Sequence, residues 1–225
     1  MLVDADETIF DFLSAERTAL TRTLAIYGIT ADDRMIALYS EINLSCWKML
    51  ERGEITRDEL QPMRFKRFFD RMGTPVDDPS DVNEAYKREL SRCGFLLPGA
   101  LDFLRKLHKR CRIYLATNGL TVVQRGRLSD SPILPYIDGA YISEEIGVQK
   151  PERAYFDYIF RDLHVTDRSR VCIIGDSLTS DMAGGRNAGI TTVRYLGRLE
   201  PEHSPLCDYE IRDYDEFFDI LSGMR

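Results

Sequence analysis

Apolar positions recur at helical spacing from about residue 15 to residue 96. Ala15 to Tyr27, Asp32 to Leu50, Arg57 to Met72 and Pro79 to Cys93 each predict a helix. Gly28, Gly53 and the pair Gly73 and Pro75 supply the stops. No strand is expected among them. In residues 62–72, arginine and lysine alternate with phenylalanine, a composition that also suits nucleic acid. Phe65, Phe68, Phe69 and Met72, however, fall at i, i+3, i+4 and i+7. That is one stripe of a helix, so core packing is the expected role. After Leu97-Pro98-Gly99 the period changes. Short apolar runs at Arg112–Ala116, Gly139–Ile142, Arg170–Ile174 and Thr191–Tyr195 predict buried strands. They alternate with helical stretches at Leu101–Arg110, Val122–Leu128, Pro151–Leu163 and Asp181–Ala188. Such alternation predicts an α/β fold, a doubly wound parallel sheet covered on both faces. Residues 15–96 would then be an all-helical insert in an α/β domain made of 1–14 and 97–225. The acidic stretch Glu200 to Asp219 reads as a solvated terminal segment.

Composition narrows the class. The chain has 225 residues, 44% apolar and 30% charged, which is globular rather than disordered. No apolar run approaches the ~20 residues of a membrane span. The acidic start, Met1 to Glu7, lacks the features of a signal peptide. The net charge is −7, of which the insert carries −1 and the remainder −6. This argues against nucleic-acid polymers and anionic membranes as partners, but not against a small anion held in a local site. The five cysteines are odd in number and form no Cys-x-x-Cys pair, so reduced thiols and a cytoplasmic location are expected. His108, His164 and His203 are scattered, which speaks against a histidine zinc site. The chain would act as a monomer or homodimer.

In open parallel sheets, ligands bind beyond the carboxyl ends of the strands. Leu2-Val3 lead into Asp4, Asp6 and Thr8, and the 112–116 strand into Thr117, Asn118 and Gly119. Lys150 follows the 139–142 strand, and Asp176 and Asp181 follow the 170–174 strand. Four acids, a hydroxyl and a lysine would therefore share one sheet edge. Clustered carboxylates repel one another unless a cation sits among them, and an all-oxygen site suits Mg²⁺. A carboxylate can also act as a covalent nucleophile towards phosphorus. Asp4 and Asp6 lie two apart on an extended chain, so both can reach one centre. Each residue has a plainer reading too. Thr117, Ser177 and Asp181 can cap helices, Lys150 can be a surface residue, and Glu7 and Asp11 read as loop acids.

Asp4-Ala5-Asp6-Glu7-Thr8, Thr117-Asn118-Gly119, Lys150-Pro151 and Gly175-Asp176-Ser177 with Asp181 resemble, in order, the four motifs of the haloacid dehalogenase-like (HAD) hydrolases. The resemblance covers the whole chain. It implies a Rossmann-like core with a helical cap inserted after the first motif. It implies Asp4 as nucleophile, Asp6 as acid and base, Thr117 and Asn118 as phosphoryl ligands, and Lys150 as the charge-neutralising lysine. Mg²⁺ would be held by Asp4, the Asp6 carbonyl and Asp176, with Asp181 in support. An aspartate at position 6 points to an alcohol phosphate, since the dehalogenase, phosphonatase and P-type ATPase branches generally lack it. A small phosphomonoester is the implied substrate, cleaved by a phosphatase or isomerised by a phosphomutase.

Residues 4–10, 142–151 and 167–171, together with Asn43, Trp47 and 53–56, resemble the pyrimidine 5′-nucleotidase branch. Asn43 and Trp47 are the cap residues to which that resemblance gives specificity, although Trp47 also suits core packing. One departure stands out. The family places four to six apolar residues before its first aspartate, and only Met1-Leu2-Val3 precede Asp4 here. A short first strand is expected, and an upstream segment, if encoded, would raise the melting temperature.

Overall fold

The computed structural model describes residues 1–74, 76–202 and 204–223. Pro75, read above as part of a helix stop, and His203 lie outside the described residues. The elements run β1 (Leu2–Val3), α1 (Phe12–Ile26), α2 (Asp33–Glu51), α3 (Arg57–Met72), α4 (Pro79–Ser91), α5 (Ala100–His108), β2 (Tyr114–Thr117) and α6 (Thr121–Ser129). They continue with β3 (Gly139–Ile142), α7 (Ser143–Ile146), α8 (Arg153–Asp162), β4 (Cys172–Gly175), α9 (Ala183–Ala188), β5 (Thr191–Tyr195), β6 (Tyr209–Ile211) and α10 (Tyr214–Gly223). A π-helical turn, Leu178–Met182, precedes α9.

All six strands form one parallel sheet in the order β3-β2-β1-β4-β5-β6. The first strand is only two residues long, yet both neighbours pair with it: Leu2 stands opposite Tyr114 on one side and Ile173 on the other. Successive side chains leave the sheet on opposite faces. Val3, Leu115 and Ile174 join one core cluster with α5 and α10, while Leu2, Ala116 and Ile173 join another with α8. From β1 the chain winds outward to β2 and β3, then returns across β1 to β4. The sheet thus reverses direction between β1 and β4, which is where an open α/β sheet leaves a crevice.

Helices α1 to α4 pack around their own cluster, centred on Leu20, Tyr39, Phe65, Phe68 and Tyr86, with Leu120, just before α6, and Val123 of α6 added from the core side. The phenylalanine stripe of α3 is buried as its spacing required. Thr56 and Glu59 form a reciprocal capping box at the start of α3, and Gly73 closes its end at φ +64°. The two chain crossings between insert and sheet domain run side by side. Asp11 N–H donates to the Phe95 carbonyl at 2.9 Å, and Leu97 N–H donates to the Ile9 carbonyl at 2.9 Å.

The C-terminal segment corrects the sequence reading. Instead of a solvated tail, it contributes the edge strand β6 and the helix α10. Ile211, Tyr214 and Phe217 are buried, and Tyr214 stacks between Phe103 and Tyr195. On α10, Asp215, Glu216 and Asp219 stand exposed opposite an apolar stripe, Tyr214, Phe217, Phe218 and Leu221, while Asp208 and Glu210 bond to Thr192 and Arg194. Charge density concealed that periodicity.

Candidate active site

Asp4 extends the β1 ladder by one residue, its N–H donating to the Ile174 carbonyl at 2.9 Å. This fixes the carboxylate at the sheet's point of reversal, where it is buried. Lys150 is 1% exposed and spends all three ammonium hydrogens inside the protein. Its Nζ donates to Asp4 Oδ1 at 2.5 Å, to Asp181 Oδ1 at 2.6 Å and to the Ala116 carbonyl at 2.6 Å. Asn118 holds the backbone of that lysine through a reciprocal pair, its Nδ2 donating to the Lys150 carbonyl and its Oδ1 accepting from Lys150 N–H, both at 2.8 Å. The Asn118 side chain is therefore committed to Lys150.

Asp181 comes from the π-helical turn, a local widening often found at functional sites. Its second oxygen accepts from Ser177 N–H at 3.2 Å. Gly175 makes room for it, since a Cβ at that position would lie 2.3 Å from Asp181 Cγ. Asp176, half-buried, completes the group. Carboxylate oxygens of Asp4, Asp176 and Asp181 all lie within 4.8 Å of one another. Three carboxylates thus share one ammonium. Burial and the neighbouring Asp181 push the Asp4 carboxyl up to about 7 despite Lys150. Burial, with Asp4 and Asp181 nearby, raises Asp176 well above the carboxylate range. Burial alone would lower Lys150, but Asp181 and Asp4 outweigh it and hold the amine charged. The donor set is hard, all-oxygen and short of positive charge, so it fits a divalent cation such as Mg²⁺.

Asp6 is absent from this group. Its carboxylate turns to α6, accepting from Arg127 Nη2 at 2.5 Å and from Gln124 Nε2 at 2.9 Å. The same Gln124 nitrogen donates to Thr117 Oγ1 at 3.2 Å, and Thr117 Oγ1 also accepts from Gly119 N–H at 3.2 Å. Thr117 is buried at the end of β2. Gln124 and Arg127 escaped the sequence reading. Their signal was two polar side chains at i and i+3 on a helix whose other inward positions, Val123 and Leu128, are apolar.

Four insert residues meet the sheet domain over the crevice. Lys48 Nζ donates to Thr179 Oγ1 at 2.7 Å, and Thr179 donates to Glu51 at 2.9 Å. Arg57 Nη2 donates to Ser143 Oγ at 2.7 Å, and Gln149 Nε2 donates to the Leu50 carbonyl at 3.3 Å. Asn43 is buried and spends its amide on Glu16 and Arg64, while Trp47 packs at the margin of the insert's cluster. Among the described residues, neither hydrogen-bonds to the strand-end acids. Glu7 and Asp11 remain local: Glu7 accepts from Leu13 N–H, and Asp11 caps α1 and pairs with Arg198.

A profile of haloacid dehalogenase-like hydrolases matches residues 1–189. The chain belongs to this family. As a HAD hydrolase it is an enzyme, and its relatives extend over nearly its full length. Pyrimidine 5′-nucleotidase PynA of Streptococcus pneumoniae is 36% identical over 223 residues, covering 98% of this chain and 94% of that protein. Pyrimidine 5′-nucleotidase YjjG of Escherichia coli is 36% identical over 189 residues, covering 84% and 82%. The solved structure of the HAD-hydrolase YfnB of Bacillus subtilis superposes with a TM-score of 0.91 at 35% identity, covering 98% of this chain and 96% of that one. That structure is described as bound to magnesium and as revealing interdomain movement. The parallel sheet and the HAD fold are therefore shared. Among the described residues of this chain, no helix is long and apolar enough to cross a membrane.

Proposed function

We propose that this HAD hydrolase is a Mg²⁺-dependent phosphatase whose substrate is a pyrimidine nucleoside 5′-monophosphate. The observation that carries the reading is the position of Asp4. Its carboxylate stands at the sheet's reversal point, held by Lys150, with Asp6 two residues on and Asp176 and Asp181 alongside. The names of PynA and YjjG support the nucleotide as substrate. In this reading residues 15–96 act as the cap, and the polar contacts of Lys48, Glu51 and Arg57 with the sheet domain support a closed arrangement over the crevice. Closure excludes water while the bond to the leaving group breaks.

In this reading an Asp4 oxygen attacks phosphorus in line. A bond forms between Asp4 and phosphorus, and the bond from phosphorus to the 5′-oxygen breaks. Asp6 gives its proton to that leaving oxygen. Asp6 then takes a proton from water as the water attacks the same phosphorus. The bond to Asp4 breaks and inorganic phosphate leaves. Lys150 offsets the charge on Asp4 throughout, while Thr117 Oγ1 and the backbone N–H of Asn118 hold phosphoryl oxygens. Bound Mg²⁺, held by Asp4, Asp176 and the Asp6 carbonyl with Asp181 in support, would supply the positive charge that lets two anions meet.

Inorganic phosphate release tests this across nucleoside monophosphates, sugar phosphates and other small phosphomonoesters, each with Mg²⁺. UMP, dUMP or dTMP should head the ranking, with Asp4→Asn inactive. A sugar phosphate heading it would replace the nucleotide reading. An isomerised product without free phosphate would indicate a mutase.

A further inference from the structure

Arg127 is an unusual residue for its surroundings. Its side chain has no solvent exposure, its guanidinium lies 4.5 Å from the centroid of the Phe10 ring, and among the described residues its Nε and Nη1 have no hydrogen-bond partner. A buried guanidinium with idle donors is costly, and an aliphatic side chain would fill the same space without that cost. Had its task been to tie α6 to the crossing between cap and core, those donors could have met backbone carbonyls. The one charged partner it has among the described residues is Asp6.

Gln124 completes the arrangement. Arg127 grips Oδ1 of Asp6 and Gln124 grips Oδ2, so one helix face fixes both oxygens of a side chain that stays about one-third exposed, at 31%. Each carboxylate oxygen has two lone-pair directions, and one on each is now occupied. The direction in which Asp6 can hold or offer a proton is correspondingly restricted. Gln124 also reaches Thr117, and it does so through space left by Gly119, where a Cβ would lie 2.3 Å from Gln124 Nε2.

We propose that Arg127, assisted by Gln124, is a positioning residue that aims the Asp6 carboxyl at the leaving oxygen. The proposal rests on the reading of Asp6 as acid and base given above. Arg127 touches neither substrate nor phosphorus; it acts through Asp6.

The test compares two leaving groups. Departure of a nucleoside alcohol needs a proton, whereas p-nitrophenolate leaves without one. The quantity to read is kcat/KM with Mg²⁺, because it reports only steps up to phosphorylation of Asp4 and is blind to the later hydrolysis. Arg127→Met should lower kcat/KM for UMP by about 100-fold or more, the scale of a misdirected general acid, and for p-nitrophenyl phosphate by only about 5-fold or less. The loss on UMP should lie in kcat rather than KM. Arg127→Lys should recover part of it. Equal losses on both substrates, a loss confined to KM, or no loss overturns the proposal, since a merely structural role cannot discriminate by leaving group. If Arg127→Met does not fold, Arg127→Lys and Gln124→Met decide by the same asymmetry at smaller size. Asp6→Asn is the reference. If it loses both substrates equally while the parent enzyme is active, the acid role of Asp6 fails and the proposal falls with it. A parent enzyme that hydrolyses no phosphomonoester marks failure of the phosphatase reading itself.

Discussion

Two buried polar networks lie on either side of the crossing between cap and core, and they treat charge in opposite ways. In the cap, Glu16 accepts from Ser40 and from Asn43 Nδ2, Asn43 Oδ1 accepts from Arg64, and Arg64 donates twice more to Asn83. One carboxylate meets one guanidinium through neutral relays. In the core, Asp4 and Asp181 pair with Lys150 and Asp176 lies beside them, with no second cation bonded to the three among the described residues. Burial raises the Glu16 carboxyl as it does Asp4, so desolvation does not separate the two. The balance of charge does. The cap network has its charges matched, runs on through Asn83 to Gln61 and Lys87, and ties four helices together. The core network is short of a cation and therefore prepared to receive one. Burial of ionisable groups alone is a poor sign of a site; burial with an uncompensated sign is a better one.

The contrast can be broken most severely at Lys150. Lys150→Met would leave Asp4 and Asp181, with Asp176 beside them, without the one cation bonded to them among the described residues, and an unpaired buried charge costs about 3–5 kcal/mol. Turnover should fall by about 10³-fold or more, the scale of a lost electrostatic stabiliser. Chemical denaturation and steady-state kinetics on the same preparation check both. Next comes Gly175→Ala, which leaves the charges intact and displaces only Asp181. A shift of roughly 1 Å in a supporting group can cost about 100-fold, so kcat should drop on that scale, with a stability loss of about 1–3 kcal/mol from overpacking, smaller than that of Lys150→Met.

Mg²⁺ itself sharpens the comparison. At about 100 times its Kd it should stabilise the folded chain by about 2.7 kcal/mol, and EDTA should reverse the effect. Asp176→Asn should abolish that shift, while substitutions in the cap network should leave it in place. Thermal melts with and without the ion measure this. The smallest effect belongs to Glu16→Gln. The amide keeps an oxygen for Asn43 and removes a charge that burial disfavours, so stability should stay within about 1 kcal/mol of the parent, with activity retained. Loss of turnover there would make the cap network part of the reaction site.

Much of this was legible in the chain, for physical reasons that differ by region. The strands Gly139–Ile142 and Thr191–Tyr195 and the helix Arg57–Met72 coincide with the apolar patterns that predicted them. Their periodicity is uninterrupted and their ends carry glycine, proline or a capping threonine. The strand-end acids were legible because parallel topology alone brings chain-distant turns to one edge. β6 and α10 were not, because a dense run of acids masks a stripe that becomes visible only once Phe103 and Tyr195 are seen to cover it. Gln124 and Arg127 were missed for another reason. Their meaning depends on which turn of α6 faces Asp6, 121 residues away from Arg127 along the chain, and no local pattern carries that information. Asn43 shows another case: its amide donates to Glu16 and accepts from Arg64, partners that lie far along the chain and that no local pattern names.

The central claim is that Asp4 carries the phosphoryl group between leaving group and water. Asp6→Asn with p-nitrophenyl phosphate and Mg²⁺ tests it most directly. The leaving group departs without a proton, but the variant lacks the base that activates water, so the phosphorylated enzyme should accumulate. Rapid acid quench followed by peptide mass analysis should find one phosphoryl group on Asp4, matched by a stoichiometric burst of p-nitrophenolate. A variant that releases p-nitrophenolate steadily, with no burst and no phosphoryl group on Asp4, would contradict the account.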